Sequence, residues 1–392
     1  MKVFYHLDAD GICAAFMIHV YESRNIFPAL VDAHENCKND NQFAFLPAHL
    51  LYTESDFRKI NYGWKFPFKD ISKYERVYIV DFSLEPEDLE KLMEITTDII
   101  WIDHHKSAVL KYRKYKETHP DFNYENIKGI RIPFNTDAEG DVFGNIAGCM
   151  LTYLWTESIN VEELVHCEDP EYGINFINTK IKEAPKFVQY IADQDVWRFD
   201  LGVSTMLFNA ALKRYAIDPF CSVFTELYRA YCLARKTSSK KDRDYENSLY
   251  EEYLKEGDII NSYIYNHNAE FCAAKSYKAE LNSDAIEYMA TDDIIIEKAT
   301  KTIIRAINAV PGFNNSSVFD SIDKSEYDLL IIYGFDGLKF NYTAYQGGRN
   351  KGLSPRELAE AFGGGGHEAA AGFKSDKFIL YRENPNIPAI TG

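Results

Sequence analysis

Three apolar segments within the first 105 residues each run into a carboxylate and then into helix-prone sequence: KVFYHLDADG at 2–11, VYIVDFS at 77–83 and IIWIDHH at 99–105. Short apolar strands that alternate with helices build a parallel sheet covered on both faces. In such sheets ligand groups gather outside the carboxyl ends of the strands, so these three carboxylates are expected to converge. The pattern predicts strands at 2–7, 76–81, 98–103 and 129–134. It predicts helices at 11–21, 86–94, 144–155 and 185–192. The fold class is α/β. The stretch from about 30 to 75, rich in Asn, Phe and Tyr, reads as an insertion between the first two strands, with no assigned role.

At 392 residues the chain exceeds one ordinary core. A first domain is expected over 1–230, a helical linker over 231–267 and a smaller α+β domain over 268–392. In the last of these, 271–277 and 284–291 read as strands, and 298–310 as strand or helix. The run from 327 to 346 reads as a hairpin turning at Phe335, Asp336 and Gly337. A helix should start at Ser354, with Pro355 at its first position, Glu357 completing a capping box and Gly363 ending it. The following GGGGH run, with a new helix start expected after it, can bring backbone N–H groups close to an anion.

The net charge of −17 opposes the attraction of long nucleic acid to a basic surface, but not the binding of a small anionic substrate. The basic cluster ARKTSSKKDR at 234–243 precedes a polar helix-prone stretch and reads as a solvated linker face. Seven cysteines, scattered and without a CxxC pair, argue against a disulfide framework or a zinc ribbon. The longest apolar runs fall short of the roughly 20 residues of a membrane span. Lys2 leads at once into strand-like sequence rather than a signal peptide, so a cytoplasmic protein is expected.

The chemistry-bearing residues form a set rich in Asp, with His and without Cys. His6, Asp8 and Asp10 occupy alternate positions, Asp81 and Asp103 end strands, His104 and His105 follow Asp103, and YIADQD brings Asp193 and Asp195. Hard oxygen ligands with a few imidazoles suit Mn2+ or Mg2+ better than structural zinc. Two ions about 3.5–4 Å apart need a bridging carboxylate and serve in-line phosphoryl displacement. His6 and Asp8 are placed to face one ion while Asp10 reaches the other.

In this order, HLDADG, IVD, DHH, IADQD and a C-terminal GGGGH resemble the DHH phosphoesterase superfamily, in the RecJ and oligoribonuclease-like branch whose second domain carries a GGGH loop. The resemblance spans about 1–230 and 268–375. It implies a DHH catalytic domain followed by a DHH-associated substrate-binding domain. It implies that His6 and Asp8 bind one metal, Asp10 and His104 the other, and that Asp81 bridges them. Asp193 takes the place of the last metal-binding aspartate, favoured over Asp195. His105 would meet the scissile phosphate and Asp103 would orient its neighbours. Gly364, Gly365, Gly366 and His367 would hold one end of the substrate while a base stacks on Tyr345. Where the family often has Ser-x-Arg-Ser this chain reads TAYQ at 343–346, leaving Arg349 or Arg305 to clamp phosphate. The implied enzyme is a phosphodiesterase using two divalent ions, Mn2+ in preference to Mg2+. It would degrade short single-stranded oligonucleotides, RNA in preference to DNA, to mononucleotides. The alternatives are a cyclic-dinucleotide or 3′-phosphoadenosine phosphoesterase and a RecJ-like single-strand exonuclease.

Overall fold

A computed structural model of the chain describes residues 1–26, 54–131, 146–165, 168–237, 239–289, 293–309, 316–367 and 369–382. It divides into two compact units, Met1–Asp258 and Ile259–Gly392. Both are mixtures of helix and strand, so the α/β class holds.

The first unit opens with β1 (Lys2–His6), α1 (Ala9–Ile26) and β2 (Phe57–Ile60). It continues through β3 (Val77–Val80), α2 (Pro86–Ile95), β4 (Ile99–Ile102) and α3 (Lys106–Thr118). The four strands form a parallel sheet in the order β2-β1-β3-β4. Every residue of β3 and β4 is buried because both faces are covered, which is why these strands read as unbroken apolar runs. Val3, Tyr5, Tyr78, Val80, Ile100 and Ile102 pack on one face against Phe16 and other residues of α1. Phe4, Val77, Ile79, Ile99 and Trp101 pack on the other, against Leu89, Leu92 and Tyr112. The first core is completed by helices from α4 (Gly148–Thr156), α5 (Val161–Val165), α6 (Pro170–Glu183), α7 (Lys186–Asp195), α8 (Val203–Leu212) and α9 (Ser222–Thr237). Helix α10 (Lys240–Lys275) follows, and the division between the units falls within it.

Two differences from expectation concern this unit. Strand β2, from the unassigned insertion, adds to the outer edge of the sheet. The segment expected as a strand at 129–134 instead forms isolated bridges, Lys128 with Ile100 and Arg131 with Asp103, and 132–134 lie outside the described residues.

The second unit contains β5 (Ser276–Leu281), α11 (Ser283–Tyr288), α12 (Asp293–Lys301), β6 (Ile304–Asn308), β7 (Leu329–Phe335) and β8 (Phe340–Gln346). After these come α13 (Pro355–Ala361), β9 (Gly365–His367), β10 (Ala370–Ser375) and β11 (Leu380–Arg382). Its strands form one seven-stranded sheet in the order β11-β5-β6-β7-β8-β10-β9, antiparallel except at β6–β7. Segment 271–277 is not one strand: α10 runs to Lys275 before β5 begins. Residues 284–288, expected within a strand, belong to the helix Ser283–Tyr288 because the Asn282 side chain accepts a hydrogen bond from the Ala285 N–H at 2.8 Å and caps a helix start. The α13 capping box forms as expected between Ser354 and Glu357. Among the described residues no helix starts after the glycine run; β9 and β10 form an antiparallel pair, with His367 opposite Ala370. Among the described residues no helix is long and apolar enough to cross a membrane.

Candidate metal centre

The strand order builds the site. The chain leaves β1 for β2 on one side and returns to β3 on the other, so the crevice beyond their carboxyl ends opens between β1 and β3. His6 ends β1, Asp81 follows β3, and Asp103 follows β4. Since β3 lies between β1 and β4, Asp81 reaches both neighbours. Its carboxylate is 3.8 Å from His6 Nδ1 through one oxygen and 3.2 Å from His104 Nε2 through the other. The Asp81 backbone adopts φ 53°, a left-handed conformation unfavourable for a non-glycine residue and found repeatedly where function fixes a side chain.

Asp8 and Asp10 lie in the turn into α1. Asp8 Oδ1 accepts the Gly11 N–H at 3.0 Å and Oδ2 pairs with His6 Nδ1 at 2.6 Å. A side chain at Gly11 would collide with the His6 carbonyl, so the turn requires glycine. The Asp10 carboxylate accepts N–H bonds from Gly148 at 2.7 Å and Cys149 at 2.9 Å, at the start of α4, where the helix dipole favours negative charge. His104 Nε2 is 3.7 Å from Asp10 and 3.4 Å from Asp195.

Three overlapping groups of this set could each hold an ion: His6, Asp8 and Asp81; Asp10, His104 and Asp195; Asp81, His104 and His105. Asp81 belongs to two of them. It is almost fully buried, yet among the described residues neither of its oxygens has a hydrogen-bond partner. A buried carboxylate without donors is costly unless a cation compensates it. Burial, together with Asp10, Asp8, Asp103 and Asp195, drives its pKa well above the usual range. Burial and the Asp10 and Asp8 charges likewise push Asp195 up to about 8. Burial lowers His104 despite the opposing pull of Asp10, which leaves a neutral imidazole able to donate a lone pair. These residues fit a pair of hard divalent ions.

His105 is held differently. Its Nδ1 bonds Asp103 Oδ1 at 2.7 Å, and Asp103 also accepts the His104 N–H at 2.8 Å and the Ser83 hydroxyl. Burial alone would lower His105, but the Asp103 hydrogen bond and the charges of Asp103, Asp195 and Asp10 outweigh it and raise the imidazole to about 9. His105 is therefore an imidazolium at neutral pH, with Nε2–H free of the Asp103 contact.

Of the two candidate aspartates in YIADQD, Asp195 is the one grouped with Asp10 and His104. The carboxylate of Asp193, expected as the last ligand, accepts the Asp200 N–H at 2.9 Å, the Leu201 N–H at 3.1 Å and the Thr205 hydroxyl. Both aspartates belong to α7, and two helical positions separate them by about 200° around the axis.

The residues expected to hold substrate lie in the second unit. Arg349 is not a free cation: it donates to Asp328 and to the Lys301 carbonyl, bracing the turn after β8. Arg305 donates to the Ser276 hydroxyl at 2.8 Å. Tyr345 is half-buried on β8 opposite Ala370. Gly364 passes so close to the Gly372 carbonyl that only glycine fits, and Gly365 and Gly366 pair along β10.

Sequence reasoning missed Gly148, Ser83, Asn61 and Tyr62. A Cβ at Gly148 would lie 2.7 Å from Asp81 Cβ and Oδ1 and 2.9 Å from Asp10 Oδ2. Gly148→Ala is therefore expected to cost about 1–3 kcal/mol through overpacking and to weaken metal binding, although it alters no ligand. Thermal unfolding with and without Mn2+ measures both effects. A metal-induced shift equal to that of wild type would show that the Gly148 cradle does not shape the centre.

No family model and no curated protein matches the chain. Among solved structures, the chain is similar to the pGpG-specific phosphodiesterase PggH from Vibrio cholerae, at 11% identity and a TM-score of 0.28, over 95% of this chain and 92% of that one.

Proposed function

We propose that the chain is a two-metal phosphodiesterase that hydrolyses short oligonucleotides, RNA in preference to DNA, to mononucleotides. The observation that carries this reading is the buried Asp81 carboxylate without hydrogen-bond donors, shared between two groups of metal-capable side chains. His6 and Asp8 would hold one ion, Asp10, His104 and Asp195 the other, with Asp81 common to both. Divalent ions held there would supply Lewis acidity toward a phosphoryl oxygen and toward water. His105, kept protonated by Asp103, donates from Nε2 to a non-bridging phosphoryl oxygen, where negative charge develops in displacement. Ser83 and the His104 N–H fix the Asp103 carboxylate, so His105 meets the phosphate in one orientation. Gly148 and Cys149 hold Asp10 in the same way. The net charge of −17 suits a ligand gripped locally, because a long strand would be repelled along its length.

Incubation of the purified protein with labelled two- to twenty-nucleotide RNA and DNA, and with a cyclic dinucleotide, tests the proposal. With Mn2+, RNA of two to four nucleotides should be consumed fastest and end as mononucleotides, and a chelator should stop the reaction. Faster degradation of the twenty-mer, or no hydrolysis of any of these esters, would overturn the reading.

A further inference from the structure

The edge strand β2 brings two residues to the rim of the metal centre. Asn61 Oδ1 accepts the Tyr62 N–H at 2.8 Å and lies 3.3 Å from His6 Nε2, so the chain after β2 is tied to the end of β1. The Tyr62 ring sits 5.8 Å, centroid to centroid, from both His6 and His105, and leans on Phe82 at 4.7 Å. Its hydroxyl lies at the Ser83 backbone. Yet the residue remains 45% exposed. A tyrosine fixed by three rings and a backbone contact, but open to solvent beside the imidazole that would meet phosphate, is not accounted for by core packing.

We propose that Tyr62 is the stacking surface of a nucleobase subsite in the first unit, for the base attached to the sugar next to the scissile phosphate. This rests on the phosphodiesterase reading above. A neutral aromatic face suits this acidic rim, because the base is the uncharged part of a nucleotide. Stacking also tolerates every base, since each presents a π face. The edge strand would thus recognise that a base is present, not which base it is.

Two substrates separate the roles: a dinucleotide, and the same phosphodiester with that base replaced by hydrogen. Tyr62→Leu should lower kcat/KM for the dinucleotide by about ten- to a hundredfold, the range of one lost base stack. It should leave the abasic ester within about threefold, and Tyr62→Phe should preserve both rates. In addition, a dinucleotide carrying 2-aminopurine at that position, bound in Ca2+, should lose fluorescence on wild type and Tyr62→Phe but not on Tyr62→Leu. Should Tyr62→Leu fail to fold, quenching on wild type and Tyr62→Phe decides, and its absence overturns the subsite. Equal loss on both esters, or loss on neither, overturns the subsite while the phosphodiesterase reading stands. Wild type that cleaves neither ester overturns both.

Discussion

Asp81→Asn is expected to reduce turnover by about a thousandfold or more while raising the stability of the metal-free protein at neutral pH. The loss follows from position: the amide could not supply the charge that two ions held there would share, and Lewis-acid stabilisation is worth several kcal/mol, with each 1.36 kcal/mol a factor of ten. The gain follows from electrostatics. In the folded chain Asp81 titrates well above its ordinary value, because it is buried beside Asp10, Asp8, Asp103 and Asp195. Between its unfolded and folded pKa values the folded state binds more protons, so stability is full below the unfolded pKa and falls as pH rises. Asp195, raised to about 8, acts in the same direction. The midpoint of metal-free wild type should therefore drop between about pH 4 and 8, and Mn2+ should restore it. The Asn variant cannot ionise, so its decline should be shallower and its response to Mn2+ smaller. Unfolding curves across pH, with chelator and with Mn2+, measure each part. A metal-free variant less stable than wild type at pH 8 would mean that Asp81 has a native partner. Activity within tenfold of wild type would remove it from the centre.

The same residue shows what the sequence can disclose. Strands buried on both faces read as unbroken apolar runs, so VYIVD and IIWID announced both the sheet and the carboxylates at its edge. That Asp81 would lie between His6 and His104 depended on the strand order, which no local pattern encodes. Strand β2 was illegible for the opposite reason: FRKI is four residues long at an edge, with a partly exposed Arg58 and an exposed Lys59 between buried Phe57 and Ile60. Asn61 and Tyr62 were hidden with it. Gly148 gave no signal because its requirement comes from Asp81, 67 residues earlier, pressing against the start of α4. Residues 284–291 read as a strand, but the cap at Asn282 prevailed. The glycine run led to a strand pair because β10 needs a close neighbour without side chains at Gly364.

A matched pair of substitutions should separate the two aspartates of α7 by opposite signatures. Asp193 supports the chain that follows its helix: two backbone N–H groups and the Thr205 hydroxyl donate to it. Asp193→Asn turns an amide NH2 toward one of these donors and leaves it unsatisfied in a buried place, a cost of about 1–3 kcal/mol. Once folded, this variant should bind Mn2+ and turn over nearly as wild type does. Asp195 has the reverse character. Its carboxylate lies 3.4 Å from His104 Nε2 beside Asp10, and its raised pKa shows that the metal-free fold is penalised for its charge. Asp195→Asn should therefore stabilise the metal-free protein at pH 8 or leave it unchanged, while weakening Mn2+ binding and lowering turnover by about a hundredfold, as expected for loss of a direct ligand. Metal titration and unfolding of both variants, with and without Mn2+, read the contrast directly. If Asp193→Asn lost the metal at full stability and Asp195→Asn kept it, the ligand would be Asp193. The hydrogen bonds that now occupy Asp193 would then have to open when the ion binds.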